Sequence, residues 1–524
     1  MKVWIEGNFA KVSFPFDRQI VNMVGKAGLG MKWNPTHKEW SHPLTYNFAS
    51  SFIKMFPDVN IDCLEKYIPQ KDTSTPILSD YLMQHQRNAA LKAAKHPRYA
   101  FFHQTGTGKT ITGIEIIKNK GVRALVVCPL SIIETAWMEE DINNFAPEIK
   151  AVNLWEYRKA TSKRKKGILK KQVDSAQVGI INFESFKLME KELIKMDFKT
   201  LIVDESQAAK EPKSAISKRL IVFADQVPYV YLLSGTPAPN SPLEYFCQIR
   251  MLDQGVFGSN YYSFRKKYSY QSGYGGFKWK MKKEMMPEFL EKLAQFSEVV
   301  RKEDVLDLPE RTYRSREVNL SSKEMVAYKE MEANLLIEID EEEISAANAA
   351  VKLGKLRQAS SGFFYNEAKE GIQVGTSKLK ELLKLLEEIG DSQVIIWTQF
   401  RYEADQISKA LAEKAVVVDG SIPQGQKIEN IKDFKSGKVQ YVIAHPKSMG
   451  HGQTLTNCSY SIDYSLSFSL ELYEQSKDRI YRKGQKNRCT YYHLLAKNTV
   501  DATILDALSK KQKVADAILN HIRG

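Results

Sequence analysis

The chain has 524 residues and a formal net charge of +14, because 76 Lys and Arg residues outnumber 62 Asp and Glu residues. At roughly 150 residues per domain this length predicts about three domains, and the basic excess favours a polyanionic partner, either nucleic acid or an acidic membrane face. No run of about 18 apolar residues is present, which argues against a membrane-spanning helix.

The N-terminal residues do not resemble a secretion signal, because Glu6 and Lys11 fall where such a signal needs an apolar run. The five cysteines are scattered and form no CxxC pair. A zinc site or disulfide framework is therefore not expected, and a reducing compartment fits. We expect an intracellular protein, in the cytoplasm of a prokaryote or of a virus-infected cell rather than in a nucleus.

Residues 1–70 are predicted to form a small α+β domain. They contain an aromatic-rich run, a helix around Arg18 to Gly25 and a hairpin that carries Trp33 and Trp40. Exposed tryptophans beside basic groups could stack on an unpaired base, whereas the commoner place for a tryptophan is a core, and both interpretations stay open. Because the nucleotide motifs begin farther along the chain, we expect the remainder to fold without this region.

Two longer regions, residues 77–305 and 377–524, alternate apolar runs with helical stretches. This alternation predicts an α/β fold with two doubly wound parallel-sheet lobes and a cleft between them. Residues 306–376 have a mostly helical pattern, which predicts a helical protrusion or linker. The predicted strands are ALVVCP (124–129), VGIIN (178–182), TLIVDE (200–205), YVYLLSGT (229–236), VIIWTQF (394–400), AVVVDG (415–420), VQYVIAH (439–445) and YYHLLA (491–496).

The segment HQTGTGKT (103–110) lies between an apolar run and a helical pattern, which is the context of a phosphate-binding loop. Gly106 and Gly108 would let backbone N–H groups wrap a phosphate, Lys109 would reach the β- and γ-phosphates, and Thr110 would ligate Mg²⁺. The strict pattern has Gly where this chain has His103. The candidate ATP-binding residues of the loop are Gln104, Thr105, Gly106, Thr107, Gly108, Lys109 and Thr110.

An acidic motif, DESQ (204–207), ends a predicted strand of the same lobe. Asp204 would hold Mg²⁺ through water, and Glu205 would orient or activate the attacking water. Upstream, Gln86 could read adenine bidentately at N6 and N7. The plain alternative for Gln86 is a solvated helix glutamine.

Residues 261–283 interleave seven basic with eight aromatic residues. Arg265, Lys266, Lys278 and Lys280 are candidate DNA contacts, because basic groups meet phosphate and aromatic rings can stack on unpaired bases. The alternative is that the aromatics only fold this segment.

Near the C-terminus, Arg479 and Arg482 lie three residues apart, which predicts that they share one helix face. Facing the γ-phosphate from the second lobe, they would act as arginine fingers. A solvated basic helix is the competing interpretation.

These segments occur in a fixed order, which resembles the motif series of superfamily-two helicases and specifically the Swi/Snf branch. The signs of the branch are SGTP with Asn240, the RKEDVLDLP turn and a final motif that ends in RKGQ. Residues 12–44 are similar to the HARP module of annealing helicases. The quoted motifs are HQTGTGKT, VVCPLSIIETAW, GIINFESF, DESQAAKEPKSA, LLSGTPAPNSPLEY, RKEDVLDLPER, VIIWTQF, HPKSMGHGQTLT and EQSKDRIYRKGQ.

The resemblance implies two RecA-like lobes that bind ATP and Mg²⁺ between them, with duplex DNA across both. It also implies roles for further residues. Ser234, Gly235, Thr236 and Gln475 would couple the ATP state to DNA contact, and Gly450 and Gly452 would add ATP contacts. Two departures from the branch stand out, since the first motif has the general QTGTGKT form and Gln207 stands where His or Asp is commoner. A glutamine can still bridge by hydrogen bonds, so we expect an active ATPase with Gln207 in the catalytic set.

The leading hypothesis is therefore a monomeric, DNA-stimulated ATPase that translocates on duplex DNA and remodels branched DNA. One alternative is a motor that displaces or remodels proteins on DNA. Another is a catalytically inactive DNA-binding subunit of a larger complex, against which the full set of nucleotide-site residues argues.

Overall fold

The computed structural model describes residues 1–68, 76–272, 278–341, 346–449 and 453–523. Its contacts divide the chain into two compact units. The first unit contains Met1–Val305 together with Ala515–Gly524, and the second contains Leu306–Val514. None of the helices within the described ranges is long and apolar enough to cross a membrane.

Residues 1–68, here called the N-terminal module, fold around an antiparallel sheet with strand order β1-β2-β4-β3. The elements are β1 (Lys2–Glu6), β2 (Phe9–Ser13), α1 (Arg18–Val24), β3 (Lys32–Asn34), β4 (Glu39–Pro43) and α2 (Tyr46–Met55). The side chains of Asp17 and Thr45 accept backbone hydrogen bonds at the first turns of α1 and α2, as N-cap residues do. The predicted helix near Arg18 and the hairpin are confirmed.

The rest of the first unit is built on a parallel sheet with strand order β13-β5-β10-β9-β6-β8-β7. Its strands, and the separate hairpin β11–β12, are β5 (Arg98–His103), β6 (Ala124–Cys128), β7 (Ala151–Asn153), β8 (Val178–Asn182), β9 (Thr200–Asp204), β10 (Tyr229–Leu233), β11 (Ser269–Ser272), β12 (Lys278–Met281) and β13 (Ser297–Val300).

Helices cover both faces of this sheet. Leu125 and Val127 of β6 belong to the core on one face, and Val126 and Cys128 to the core on the other. Burial on both faces explains why such strands are continuous apolar runs in the sequence. The helices are α3 (Gln84–Lys95), α4 (Lys109–Lys120), a π-helix (Ile133–Ile142), α5 (Asn143–Phe145), α6 (Leu154–Lys159), α7 (Lys163–Ser175), α8 (Phe183–Ile194), α9 (Ala215–Gln226), α10 (Tyr245–Leu252), α11 (Tyr261–Tyr268), α12 (Met286–Ala294) and α13 (Lys302–Val305).

The second unit has its own parallel sheet, with strand order β14-β21-β20-β17-β19-β18. The last helix begins in this unit, and its residues from Ala515 are grouped with the first unit. The elements are β14 (Arg311–Val318), α14 (Ser322–Glu341), α15 (Ala346–Ser360), β15 (Phe363–Tyr365), β16 (Gly371–Gln373), α16 (Ser377–Ile389), β17 (Val394–Trp397), α17 (Arg401–Leu411), β18 (Ala415–Val418), α18 (Gln424–Lys435), β19 (Tyr441–Ala444), β20 (Tyr460–Asp463), α19 (Leu470–Lys477), β21 (Cys489–Ala496) and α20 (Val500–Arg523).

The fold class predicted from the sequence, two α/β lobes with parallel sheets and a small N-terminal α+β part, is confirmed. One prediction was wrong in part. Residues 306–376 contain two long helices, but they also contain β14, which is the edge strand of the second sheet. Most of the β14 side chains are exposed, so its sequence RTYRSREV lacks the apolar run by which buried strands were found.

Candidate nucleotide site

Three loops of the first unit meet at one edge of its sheet. Strands β5, β10 and β9 are consecutive neighbours and all parallel, so the loops that follow them emerge together. In open parallel sheets, ligands bind at this carboxyl edge. The phosphate loop follows β5, the SGT segment follows β10 and DESQ follows β9, so the fold brings together motifs that lie about 130 residues apart in sequence.

The phosphate loop has the backbone that its glycines predict. Gly106 and Gly108 have φ values of +92° and +81°, in the left-handed region that glycine adopts without strain. Helix α4 then begins at Lys109, so its positive N-terminal end faces the loop. Within the loop, the Thr107 hydroxyl donates to the Gln104 carbonyl at 2.8 Å, and the Gln104 side-chain oxygen accepts the Lys302 backbone N–H at 2.9 Å.

His103, which stands where the strict phosphate-loop pattern has Gly, has a structural role. This side chain is fully buried, and its Nε2 lies 2.9 Å from Oε1 of Glu298 on the neighbouring strand β13. Glu298 also pairs with Lys92 of α3 at 2.7 Å. His103 therefore joins the strand that carries the loop to the adjacent edge strand, and the turn itself is made by the two later glycines.

Gln86 lies against the phosphate loop. Its Oε1 accepts the Met83 backbone N–H at 2.8 Å, and its Nε2 donates to the Thr107 carbonyl at 3.2 Å. The ring of His85, a residue that sequence reasoning missed, also contacts the Thr107 carbonyl, at 2.7 Å. A Cβ at Gly108 would stand 2.2 Å from the Gln86 amide nitrogen. Gln86 thus stabilises the phosphate loop by a hydrogen bond. That Gln86 contacts adenine stays a prediction.

Asp204 and Glu205 stand at the end of β9. The Asp204 carboxylate accepts the Glu205 backbone N–H at 3.0 Å and the Trp137 indole N–H at 3.0 Å. Burial raises the pKa of Asp204 to about 6; the neighbouring Glu205 carboxylate adds to this rise, and Lys109 opposes it. Glu205 has φ +56°, a left-handed backbone that is uncommon for a residue with a side chain and that recurs at functional sites.

A hydrogen-bonded chain connects the acidic motif to the SGT segment. The Gln207 amide donates to Glu205 Oε2 at 2.8 Å, and the Gln207 oxygen accepts the Ser234 hydroxyl at 2.7 Å. The expectation that glutamine can bridge at this position is confirmed. Gly235 lies so close to the phosphate loop that a Cβ would stand 2.8 Å from the Thr105 hydroxyl. Ser234 Oγ in turn accepts the Thr236 backbone N–H at 3.2 Å.

Two residues of the π-helix, Trp137 and Asp141, also belong to the site, and sequence reasoning did not assign them. Trp137 donates to Asp204. Burial, and then Glu140, raises the pKa of Asp141 to about 7, while Thr110 opposes this rise. Hydroxyl and carboxylate oxygens are the ligands that Mg²⁺ prefers, and a cation would offset the buried negative charge, so Thr110 and Asp204 fit the predicted metal role.

In the second unit, the prediction that Arg479 and Arg482 share a helix face was wrong. Helix α19 ends at Lys477, and both arginines lie in the turns that follow. Two hydrogen bonds hold this turn: the Leu455 backbone N–H donates to the Arg479 carbonyl at 2.9 Å, and the Gln485 side-chain amide donates to the Cys458 carbonyl at 2.8 Å.

The two arginines are nevertheless brought to one segment of the second unit. Arg479 donates to the Gln453 carbonyl at 3.3 Å, and Arg482 donates to the Thr454 hydroxyl at 3.2 Å. Both arginine side chains are buried. Gln475 lies half-buried on α19. Gly450 and Gly452, the predicted ATP contacts just before this segment, lie outside the described residues.

Comparison with known families decides the classification. A profile for the SNF2-related domain matches residues 82–364, and one for the helicase conserved C-terminal domain matches residues 377–484. The chain belongs to the SNF2-related family. It is therefore an SNF2-family ATPase, and ATP is its nucleotide.

Relatives of this SNF2-family ATPase include a SWI/SNF-related matrix-associated actin-dependent regulator of chromatin subfamily A-like protein 1 homolog of Caenorhabditis elegans. That protein is 24% identical over 97% of this chain and 74% of its own length. The mouse DNA annealing helicase and endonuclease ZRANB3 is 25% identical over 89% of this chain, which spans 43% of the mouse protein. Among solved structures, the Sulfolobus solfataricus SWI2/SNF2 ATPase core in complex with dsDNA matches at 20% identity and a TM-score of 0.39, covering 85% of this chain and 94% of that one.

The predicted DNA contacts of this ATPase occupy different environments. The Arg265 guanidinium lies 4.0 Å from the centre of the Trp279 ring, so this pair packs the hairpin β11–β12 against α11. Lys266 and Lys280 are exposed. The side chain of Lys278 lies outside the described residues.

The aromatic residues predicted to contact DNA also differ in how deeply they are buried. Phe264 and Tyr268 are buried, which confirms that part of this segment serves folding. In the N-terminal module, Trp33 is 47% exposed. Its neighbour Trp40 packs against the module's core, with its ring between Phe14 and Trp33. The core interpretation therefore holds for Trp40, and Trp33 is the more exposed of the two.

Proposed function

We propose that this chain is an ATP-driven translocase on double-stranded DNA that remodels branched DNA by fork regression, branch migration or strand annealing. The observation that carries the proposal is a nucleotide site that shares one compact unit with a module exposing a tryptophan beside basic residues. Lys32 precedes this tryptophan in β3, Lys38 lies in the following turn, and both lysines are exposed. The net charge of +14 fits a polyanionic track.

In the proposed ATPase cycle, Lys109 binds the β- and γ-phosphates and Glu205 orients the attacking water. Thr110 and Asp204 would hold Mg²⁺, which when bound neutralises phosphate charge. Arg479 and Arg482 stabilise the charge that develops during hydrolysis. The chain from Glu205 through Gln207 to Ser234 supports coupling, because a change at the acidic motif reaches the SGT segment through two hydrogen bonds.

Branched DNA as the substrate is supported by two observations. The mouse relative carries the name of a DNA annealing helicase, and this chain matches it over 89% of its own length. In addition, Trp33 is 47% exposed, which would let its ring stack on a base that a fork leaves unpaired, a contact worth ~1–3 kcal/mol per base.

The decisive experiment compares ATPase rates on single-stranded, duplex, forked and four-way DNA and on RNA. We expect duplex DNA to stimulate hydrolysis more than single strands or RNA, and forked and four-way DNA to stimulate it more than linear duplex. Hydrolysis without any nucleic-acid dependence would contradict a translocase, equal stimulation by linear and forked duplex would favour a motor that displaces proteins, and no hydrolysis would favour a binding subunit.

Lys109→Ala is the control for this assay. It should abolish ATP hydrolysis while DNA binding survives, because the lysine lies in the phosphate loop and DNA affinity comes from many dispersed phosphate contacts. Filter binding at one fixed salt concentration, alongside the ATPase assay, checks this prediction. Near-normal hydrolysis in this variant would rule out the nucleotide site as assigned.

The role of Trp33 is tested by Trp33→Ala. We expect roughly tenfold loss of preference for forked over linear duplex, the equivalent of one stacked base, with unchanged affinity for linear duplex. The matched control is Leu188→Ala, which removes another exposed apolar side chain, on α8 (70% exposed). Equal fork preference in wild type and Trp33→Ala would remove the junction-reading role.

A further inference from the structure

Two adjacent side chains of α3, His85 and Gln86, contact the same backbone carbonyl of the phosphate loop. The His85 Nε2 atom lies 2.7 Å from the Thr107 carbonyl oxygen, and the Gln86 amide nitrogen donates to this oxygen at 3.2 Å. Because a carbonyl can only accept, the His85 Nε2 atom carries the proton of its hydrogen bond. Both side chains and Thr107 are buried, so this carbonyl is held by the protein rather than by water.

The surrounding protein fixes the direction of both donors. The oxygen of the Gln86 amide accepts the Met83 backbone N–H at 2.8 Å, which turns the NH₂ end of the same amide towards the loop. The His85 ring lies edge-on to the buried His103 ring, with the ring centroids 6.3 Å apart, and His103 is in turn hydrogen-bonded to Glu298. Helix α3 therefore presents two oriented donors to the phosphate loop.

The direction of the Thr107 carbonyl determines where the next backbone N–H points. In a trans peptide the carbonyl and the following N–H point in opposite directions, so a Thr107 carbonyl held towards α3 directs the Gly108 N–H away from α3. Within the described ranges of the chain, no residue accepts a hydrogen bond from this N–H. Gly108 immediately precedes α4, where the helix dipole favours an anion. The Gly108 N–H is therefore placed to donate to a phosphate.

We propose that His85 is a positioning residue of the ATP site. Together with Gln86 it holds the Thr107 carbonyl, so that the Gly108 N–H is already directed at the phosphate position before the nucleotide binds. His85 itself does not touch the nucleotide, because it acts through the peptide that joins Thr107 and Gly108. Phosphate loops hold the α- and β-phosphates with such N–H groups, so ATP and ADP should depend on His85 alike. This inference rests on the nucleotide site of the proposed function.

The expected consequence of losing His85 is weaker nucleotide binding with an unchanged chemical step. Without His85, only Gln86 holds the Thr107 carbonyl, and the following peptide must be ordered when the nucleotide binds. A hydrogen bond to a charged group contributes about tenfold or more to an affinity. Because the loop holds phosphates in both the bound substrate and the transition state, loss of this contact should raise KM and leave kcat nearly unchanged.

The experiment uses the full chain and measures KM and kcat of the DNA-stimulated ATPase, together with the Kd of a fluorescent ADP analogue without DNA. His85→Leu removes the donor, and we expect the ATP KM and the ADP Kd to rise about tenfold, with kcat within about twofold of wild type. His85→Gln should rescue most of this loss, because its amide nitrogen lies as many bonds from the backbone as Nε2 does. The matched control is His96→Leu, which replaces an exposed histidine at the C-terminal end of α3 and should behave as wild type.

A second variant protects the test against misfolding of His85→Leu. The side chain in His85→Asn is polar but too short to reach the Thr107 carbonyl, so this variant should show the same loss. Wild-type ADP affinity in both folded variants would overturn the inference, as would an equal loss in His85→Leu and His85→Gln, or a fall in kcat as large as the rise in KM. If the wild-type chain bound neither ATP nor ADP, the proposed function would fail instead, so the two failures are distinguishable.

Discussion

Among single residues of the second unit, Asp463 and His493 form a buried pair whose separate effects on the pH dependence of stability can be tested. They are direct partners across β20 and β21, with His493 Nδ1 3.5 Å from Asp463 Oδ2. The other ring nitrogen of His493 lies 2.8 Å from the Tyr473 hydroxyl. Burial raises the pKa of Asp463 to about 7, against the opposing effect of Lys477. Burial, and then Lys477, lowers the pKa of His493 to about 4.

The pKa of Asp463 is raised in the folded protein, whereas the pKa of His493 is lowered. The contribution of His493 is present above its unfolded pKa of 6.5 and is lost as pH falls towards 4. The contribution of Asp463 is present below its unfolded pKa of 3.8 and is lost as pH rises through 7. Between about pH 4 and 6.5, the folded pair holds one proton and the unfolded pair also holds one, so their effects on stability cancel.

We predict that Asp463→Asn removes this cancellation. Only the unfolded chain then takes up a proton, so the free energy of unfolding should fall as pH drops from 6.5 to 4, by up to about 3 kcal/mol. His493→Gln should show the opposite slope between pH 4 and 7. Urea titrations at several pH values measure both slopes, with the exposed Asp391→Asn as the control. Parallel profiles for wild type and Asp463→Asn would contradict the proton assignment.

At the level of secondary-structure elements, α2 attaches the N-terminal module to the ATPase lobe within the first unit. Asn47 of α2 is fully buried, and its amide donates to Asp225 Oδ1 of α9 at 2.7 Å and to the Arg250 carbonyl of α10 at 3.0 Å. Its oxygen accepts the Gln254 backbone N–H at 3.0 Å. One turn later, Ser51 donates to Asp253 at 2.5 Å. Deleting residues 1–70 would remove these hydrogen bonds, so we expect the truncated protein to be less stable than the full chain.

We predict that Asn47→Ala destabilises the first unit by about 2–4 kcal/mol, because it leaves buried donors and acceptors unpaired at roughly 1–3 kcal/mol each. The exposed Asn22 of α1 offers a control of the same residue type, and Asn22→Ala should change stability by less than about 0.5 kcal/mol. Urea unfolding of the full chain measures both variants. If Asn47→Ala unfolds like wild type, the module is held by its apolar contacts instead.

For the whole molecule, the phosphate loop and the proposed arginine fingers belong to different units. We therefore predict that Arg482→Ala separates binding from turnover. ATP affinity should stay near wild type, since the loop is intact, while hydrolysis slows on the order of 10³-fold, the low end for a lost arginine finger. Nucleotide titrations and DNA-stimulated ATPase rates provide the two readouts. Arg479→Ala should behave similarly.

The control for this prediction is Lys486→Ala, an exposed cation of the same segment, which should keep its turnover. Arg482 also donates to the Asp478 carbonyl at 2.9 Å, so a structural role is the competing outcome. Collapse of ATP affinity or of the melting temperature together with turnover would support that role.

The sequence by itself determined the two α/β lobes and the glycine turn of the phosphate loop. Strands buried on both faces must be continuous apolar runs, as in β6 and β9, so their pattern is readable without a structure. The loop at Gly106 and Gly108 was equally readable, because a backbone in the left-handed region selects glycine. In each case the signal lies in residues that are close together in the sequence.

Only the tertiary structure decided what depends on distant neighbours. The edge strand β14 is exposed and carries no apolar run, so its pairing with β21 could not be read from its pattern. Arg479 left its predicted helix because segments near Leu455 bind its backbone. Asn47 looks like an ordinary polar residue of a helix until Asp225 is brought against it. A side chain's hydrogen-bond partner is fixed by the packing of whole elements, which local periodicity does not encode.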